Sequence, residues 1–235
     1  MRLWGVMILV CALAGCATTG GHESDPFEPV NRVVFRFNDT IDEAVLQPVA
    51  RGYRAVVPDL VRTGVTNFFS NLEDVWIGVN NLLQGKVSDG VSDFARFTFN
   101  TTFGLLGILD VSTDFQLPKH NEDFGQTLGR WGVGSGPYLM LPLLGPSTVR
   151  DGASLLVDWQ GDVALNIENV ADRNVVFATR VVDRRANLLD AGSVLDQAAL
   201  DRYRFLRDAY LQRRRSLIYD GNPPLDDPEP EAPKQ

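Results

Sequence analysis

The chain has 235 residues, 44% of them apolar, and a formal charge of −8. That acidity argues against nucleic acid as a partner and against simple electrostatic adhesion to anionic lipid, while the apolar content and 13 Phe argue against a disordered chain. No stretch after the leader holds 18 uninterrupted apolar residues, and strict apolar–polar alternation is scarce, so neither a spanning helix nor a membrane β-barrel is expected. What remains is a largely helical, all-α chain.

The leader, residues 1–15, begins Met1-Arg2 and continues as a short apolar run that ends in Leu13-Ala14-Gly15-Cys16. A positive start, an apolar core and small residues before the cut describe a secretory signal peptide. A Cys directly after Leu-Ala-Gly makes it a lipobox, in which Cys16 is alkylated and its new amino terminus acylated. An ordinary signal peptide with a chance Cys is the plainer alternative. One acyl chain anchors marginally, at about 0.8 kcal/mol per buried methylene, whereas two or three make release negligible. Ala17, where an Asp would favour retention in the inner membrane, points to the outer membrane. Cys11 leaves with the leader and Cys16 carries lipid, so no internal disulfide is expected in the remaining chain. Residues 16–24 are then anchor and flexible tether, with His22 solvated within it.

A domain is expected over 25–219. Its first helix starts near Val30 after Pro29, with Val30, Val33, Val34, Phe37 and Ile41 on one face. Thr40 to Glu43 has capping-box form and suggests a fresh start. A short segment runs from Val49 to Val57. Two amphipathic helices follow, 59–69 and 71–84, separated at the capping box Ser70-Asn71-Leu72-Glu73 and closed by Gly85. A third covers 89–103 with a wide apolar arc. Such arcs ordinarily pack a core, but on a lipid-tethered chain they also fit helices lying in a leaflet.

Residues 104–110 read as a tight apolar turn and 112–122 as irregular. Phe124 to Trp131 returns to helical spacing. Gly132-Val133-Gly134-Ser135-Gly136-Pro137-Tyr138 follows a helix and lacks a closing Lys-Ser pair, so it reads as a bend or hinge and not as a phosphate cradle. Pro142 argues against a strand over 139–146. Further helices are expected over 148–157, loosely over 162–178, over 180–189, and from Asp196 to Tyr219, with a turn at Asp158 to Gly161. The tail 220–235, with five Pro and five acidic residues, reads as disordered.

Catalytic signals are scarce. Beyond the leader the only His are His22 and His120, there is no Gly-x-Ser-x-Gly elbow and no His-Glu-x-x-His, and no Cys is left for metal. His120 reads as a surface loop residue, and Glu122 and Asp123 as neighbours that point apart. No enzyme, cofactor or metal is expected.

Several blocks carry a family resemblance: Ser24-Asp25-Pro26-Phe27-Glu28-Pro29-Val30-Asn31-Arg32 with Phe37-Asn38, Phe68 to Gly85, and Arg96-Phe97 with Asn100-Thr101 and Gly104. Phe124 to Gly129, Gly132 to Tyr138, Leu141-Pro142, Gly145 to Asp151 and Arg185 to Asp190 add to them. The chain resembles the MlaA/VacJ family of outer-membrane phospholipid-transport lipoproteins over residues 24–219, departing only at Pro29. The resemblance implies a ring of amphipathic helices in the inner leaflet of the outer membrane. A polar channel through it would remove phospholipids misplaced in the outer leaflet and pass them to a periplasmic carrier resembling MlaC. A trimeric porin would hold the ring. Within that picture Phe37 and Asn38 are candidates for setting the channel's resting state, and Gly132, Gly134, Gly136 and Pro137 for its hinge. The rival readings are a lipoprotein that scaffolds porins without moving lipid, and a phospholipase using His120.

Overall fold

The structure is a computed structural model that describes residues 24–192 and 199–224. The lipobox with Cys16, most of the tether, the expected first turn of the last helix and most of the acidic tail lie outside the described residues.

The chain is helical apart from one small hairpin. Helix α1 spans Glu28–Ile41 and runs without a break through a wider π turn, Asp42–Leu46, into α2, Gln47–Val56. The fresh start expected at Thr40 does not occur. Its hydroxyl donates back to the carbonyl of Arg36 at 2.8 Å, the helix-interior alternative to capping.

Helix α3 is one element of 25 residues, Asp59–Leu83, about 37 Å long. The break expected at Ser70 is absent, because Asn71 is buried and donates to Thr101 Oγ1 on the next helix at 2.9 Å instead of ending its own. Gly85, at φ +79°, turns the chain into α4, Val87–Phe103. The two helices lie against each other and touch closely where Gly78 meets Gly90: a Cβ on Gly78 would sit 3.2 Å from the Gly90 carbonyl oxygen.

Helix α5, Phe124–Arg130, is capped by Asp123, which accepts from Gln126 N at 2.8 Å. Strands β1, Tyr138–Leu141, and β2, Gly145–Thr148, form an antiparallel pair in the register Tyr138 to Thr148. This corrects the expectation of no strand here. Pro142 lies in the turn between the strands, and Pro146 falls in a two-stranded ribbon, where a missing donor is tolerated.

Helix α6, Val149–Gly161, absorbs the turn expected at Asp158. A short 3-10 segment, Val163–Asn166, leads to α7, Val170–Asn187, a single helix where two were expected, capped by Asn169. Helix α8 is Arg202–Ile218, capped by Asp201, and the chain turns at Asp220 beyond it.

These elements touch in a closed circuit. Helix α1 leads through the π turn to α2, which packs on α7. Helix α7 packs on α3, α3 on α5, α5 on α6, α6 on β1, and β1 back on α1. The fold is therefore an all-α ring, with the hairpin as one short link and α8 braced against α5 and β2.

Candidate functional site

The ring is turned inside out. Its buried side chains are mostly polar: α3 buries Asn71, Asp74, Asn80 and Asn81, and α4 buries Asp93, Arg96 and Asn100. Meanwhile Val56, Leu60, Val91, Phe103, Leu106 and Leu156 lie more than half exposed. Water-soluble proteins scatter single apolar residues on their surface and keep charges outside. Here the stripes at helical spacing that sequence alone would send to a core face outward on much of α1, α3 and α4.

The polar side chains satisfy each other across the α3–α4 contact. Asp74, fully buried, pairs with Lys119 and lies 3.5 Å from Arg96 Nε. Arg96 also donates from Nη2 to both carboxylate oxygens of Asp110 at 3.1 Å and from Nη1 to the Leu117 carbonyl at 2.6 Å. Asn81 donates to Asp93 at 2.7 Å. His120 is not a free surface residue: its Nδ1 lies 2.7 Å from Asp93 Oδ1, so it straps the irregular segment 112–122 to α4. Glu122 and Asp123 do point apart, the first to Lys86 and the second to Arg214. Among the described residues four buried amide oxygens, Asn71 Oδ1, Asn81 Oδ1, Gln84 Oε1 and Gln126 Oε1, receive no protein hydrogen bond.

A second cluster closes the ring. Asp25, fully buried, accepts from Asn31 Nδ2 at 2.8 Å and Tyr203 Oη at 2.6 Å, with Arg207 Nη1 at 3.3 Å. Asn31 in turn donates to the Tyr138 carbonyl and accepts from Met140 N. One short motif thus ties α1, β1 and α8 together. Burial beside Asp25 pushes the Tyr203 phenol far above its ordinary range, so it stays a donor.

A third cluster joins α5, α6 and α8. Tyr210 donates to Asp151 at 2.8 Å, and Arg214 reaches both Asp123 and Asp151. Burial pushes both carboxyls up, but Arg214 outweighs it and holds them below the usual carboxylate range. Groups depressed on folding contribute stability that is complete above the ordinary carboxylate pKa of roughly 4 and is lost as pH falls through the lower folded values. The melting-temperature gap between the wild type and Asp123→Asn should therefore be full at pH 7 and shrink below about pH 4. A gap that persists unchanged to about pH 3 would contradict this account.

The sequence candidates fall at the two ends of the hairpin. Asn38 sits at its tip, donating to the Leu141 carbonyl at 2.9 Å and accepting from Leu143 N at 2.8 Å. Phe37 is beside it and about half exposed, as is Leu144 at the turn, with Leu143 more exposed still. Gly132, Gly134 and Gly136 lie exposed at the base, with Pro137 half-buried beside them. Gly132 and Gly136 have φ of +90° and +66°, which disfavours a side chain there, and a Cβ on Gly134 would meet nothing. The carbonyls of Ser135 and Pro137 accept from Arg150 N and Val149 N at 3.1 Å. The sequence missed Asn31, Asp25 and the α3–α4 polar stripes, whose spacing of three to seven residues was the available signal.

An apolar cavity of about 570 Å³ opens between the first half of α3, the turn 104–110 and α7, with Leu60, Val61, Phe68, Ile108 and Val175 on its wall. Among the described residues no helix is long and apolar enough to cross a membrane, and no cluster of His, Cys, Asp or Glu could hold a metal ion.

A closed helical ring with charges buried between its elements and large apolar side chains exposed defines a class of protein whose exposed face is matched to an apolar medium. A family model for MlaA lipoprotein matches residues 23–217. The intermembrane phospholipid transport system lipoprotein MlaA of Escherichia coli is 34% identical over 251 aligned positions, covering 99% of this chain and 95% of that protein. The protein of the same description from Haemophilus influenzae is 33% identical, covering 92% of this chain and 89% of its own length. A solved structure concerned with the structural basis for maintenance of bacterial outer membrane lipid asymmetry superposes with a TM-score of 0.73 at 35% identity, over 85% of this chain and 100% of that one. The chain belongs to the MlaA lipoprotein family.

Proposed function

We propose that this chain is an outer-membrane lipoprotein of intermembrane phospholipid transport, anchored through Cys16 and seated in the inner leaflet. It removes phospholipids mislocalised in the outer leaflet and passes them to a periplasmic carrier, while a trimeric porin holds the ring in place. The observation that carries the reading is the inversion itself: polar and charged side chains buried between the elements of a closed ring, large apolar ones exposed. Its similarity to transport lipoproteins supports it.

The physics needs no catalysis. Carrying a charged head group through hydrocarbon costs many kcal/mol, and a polar passage removes that cost while the acyl tails stay in an apolar medium. No bond is made or broken. Asn38 latches the hairpin tip, Phe37 stands beside it, and the Gly132–Pro137 segment is the hinge at the base. Cross-linking engineered cysteines across that base should lower transport, with reductant restoring it; undiminished transport in the cross-linked protein would remove the hinge.

The test of the function is outer-leaflet phospholipid content in cells lacking the gene. Accumulation is expected, reversed by the wild type and by His120→Gln, which keeps a donor for Asp93 but removes the imidazole. No accumulation would turn the reading toward a porin scaffold. Rescue by the wild type but not by a stably expressed His120→Gln would turn it toward a hydrolase.

A further inference from the structure

Helix α2 has two unlike faces. Val49 and Val56 are exposed on one side. Gln47, Arg51 and Arg54 lie on the other, at the i, i+4, i+7 spacing of a single helix face. That second face borders a cleft of about 490 Å³ completed by Arg185, Leu189 and Asp190. The volume is in the range of roughly 300–1,000 Å³ usual for small-molecule sites.

Three guanidinium groups meet here in a chain whose formal charge is −8, so the cleft's cationic character does not follow from composition. Each is held differently. Arg185 is fixed by a two-point pair with Asp42, at 2.6 and 2.8 Å. Arg51 donates to Gln47 at 2.8 Å on an exposed surface. Arg54 pairs with Asp190 at 2.9 Å, where the Asp190 side chain is 85% exposed. An exposed pair of that kind holds weakly and exchanges readily for a better acceptor. Arginine forks match the oxygens of a phosphate, and Leu189 and Ala55 beside them give the same cleft an apolar wall.

We infer that the cleft between α2 and the end of α7 is a binding site for the phosphate of a phospholipid head group, with Arg51 and Arg54 as its mobile donors, Arg185 as a fixed cation, and Asp190 as the acceptor that the phosphate displaces. The site rests on the transport reading for its choice of lipid over other anions. It gives that reading a recognition step: a helix whose opposite face is apolar would hold these arginines at the depth where phosphates lie.

The experiment uses the full chain in a non-ionic detergent and measures equilibrium binding of dihexanoyl phosphatidylglycerol. The comparison probes are dihexanoylglycerol, inorganic phosphate and hexaglutamate. Saturable binding of the phospholipid is expected, weakened about tenfold in the Arg51→Gln/Arg54→Gln double variant and tightened in Asp190→Asn. Arg36→Gln, an exposed arginine outside the cleft, should bind as the wild type does. Melting curves of the variants matching the wild type establish that the fold is intact. Equal binding by the double variant, or by dihexanoylglycerol, overturns the site. Inorganic phosphate binding as tightly as the phospholipid makes it a free-anion site, and hexaglutamate doing so makes it a docking point for an acidic protein segment; either overturns the lipid assignment. The binding readout does not depend on transport in cells, so its failure is separable from failure of the transport reading.

Discussion

Asp25→Ala should destabilise the full chain by about 3 kcal/mol, read as the shift in chemical unfolding in non-ionic detergent. The carboxylate is fully buried and serves Asn31, Tyr203 and Arg207 at once. Truncation leaves the Tyr203 hydroxyl and one N–H of the Asn31 amide without an acceptor, the other N–H keeping the Tyr138 carbonyl, at a cost of about 1–3 kcal/mol for each orphaned group. Arg207 keeps Asp208 at 2.8 Å and Glu28 at 3.5 Å, so it is weakened and not abandoned. Asp25→Asn, which retains an acceptor oxygen, should fall between the two. Because this cluster joins the first helix to the last, protease cleavage near Glu28 should rise in parallel. An unfolding free energy within about 0.5 kcal/mol of the wild type would refute the account.

The second large effect comes from a single methyl group. A Cβ on Gly104 would lie 2.1 Å from the Leu109 carbonyl oxygen and 2.5 Å from that of Asn100. Both obstacles are backbone, so no rotamer change relieves them. The φ of Gly104 is ordinary, at −97°, and the constraint is therefore close approach alone. Gly104→Ala must open the turn that places Asp110 against Arg96, whose side chain is 3% exposed. A destabilisation of about 3 kcal/mol is expected, at the upper end of overpacking costs. Gly134→Ala, where a Cβ meets nothing, is the control and should melt as the wild type does. Equal stability of the two variants would show that the turn yields easily.

How much of this was legible depends on what periodicity can carry. The spacing of Leu72, Val75, Trp76 and Val79 gave a helix, and α3 is there. Spacing identifies a face but not which face looks inward. The partner stripes, Asn71, Asp74 and Asn81 on α3 with Asp93, Arg96 and Asn100 on α4, repeat at three, four or seven residues and are equally readable. They pass for a solvated surface unless something places the apolar side in lipid, which here falls to the lipobox motif and the family resemblance. The false break at Ser70 came from a local motif that is satisfied only when the chain outside it is not helical; here it is helical on both sides. The hairpin escapes a local reading because Pro142 argues against a strand only as a ladder residue, and it occupies the turn. The contact between Asp25 and Arg207 spans 182 positions, and no local pattern encodes such a closure.

The outward-facing Leu60, Val61, Phe103, Leu105 and Leu106 also set the terms on which this protein can be made. Finished, the ring exposes many large apolar side chains, and unfinished, it leaves Asp74, Arg96 and Asp25 without partners. On the proposed function, closing the circuit and covering that rim with lipid go together, and a passage through water calls for a partner that shields it first.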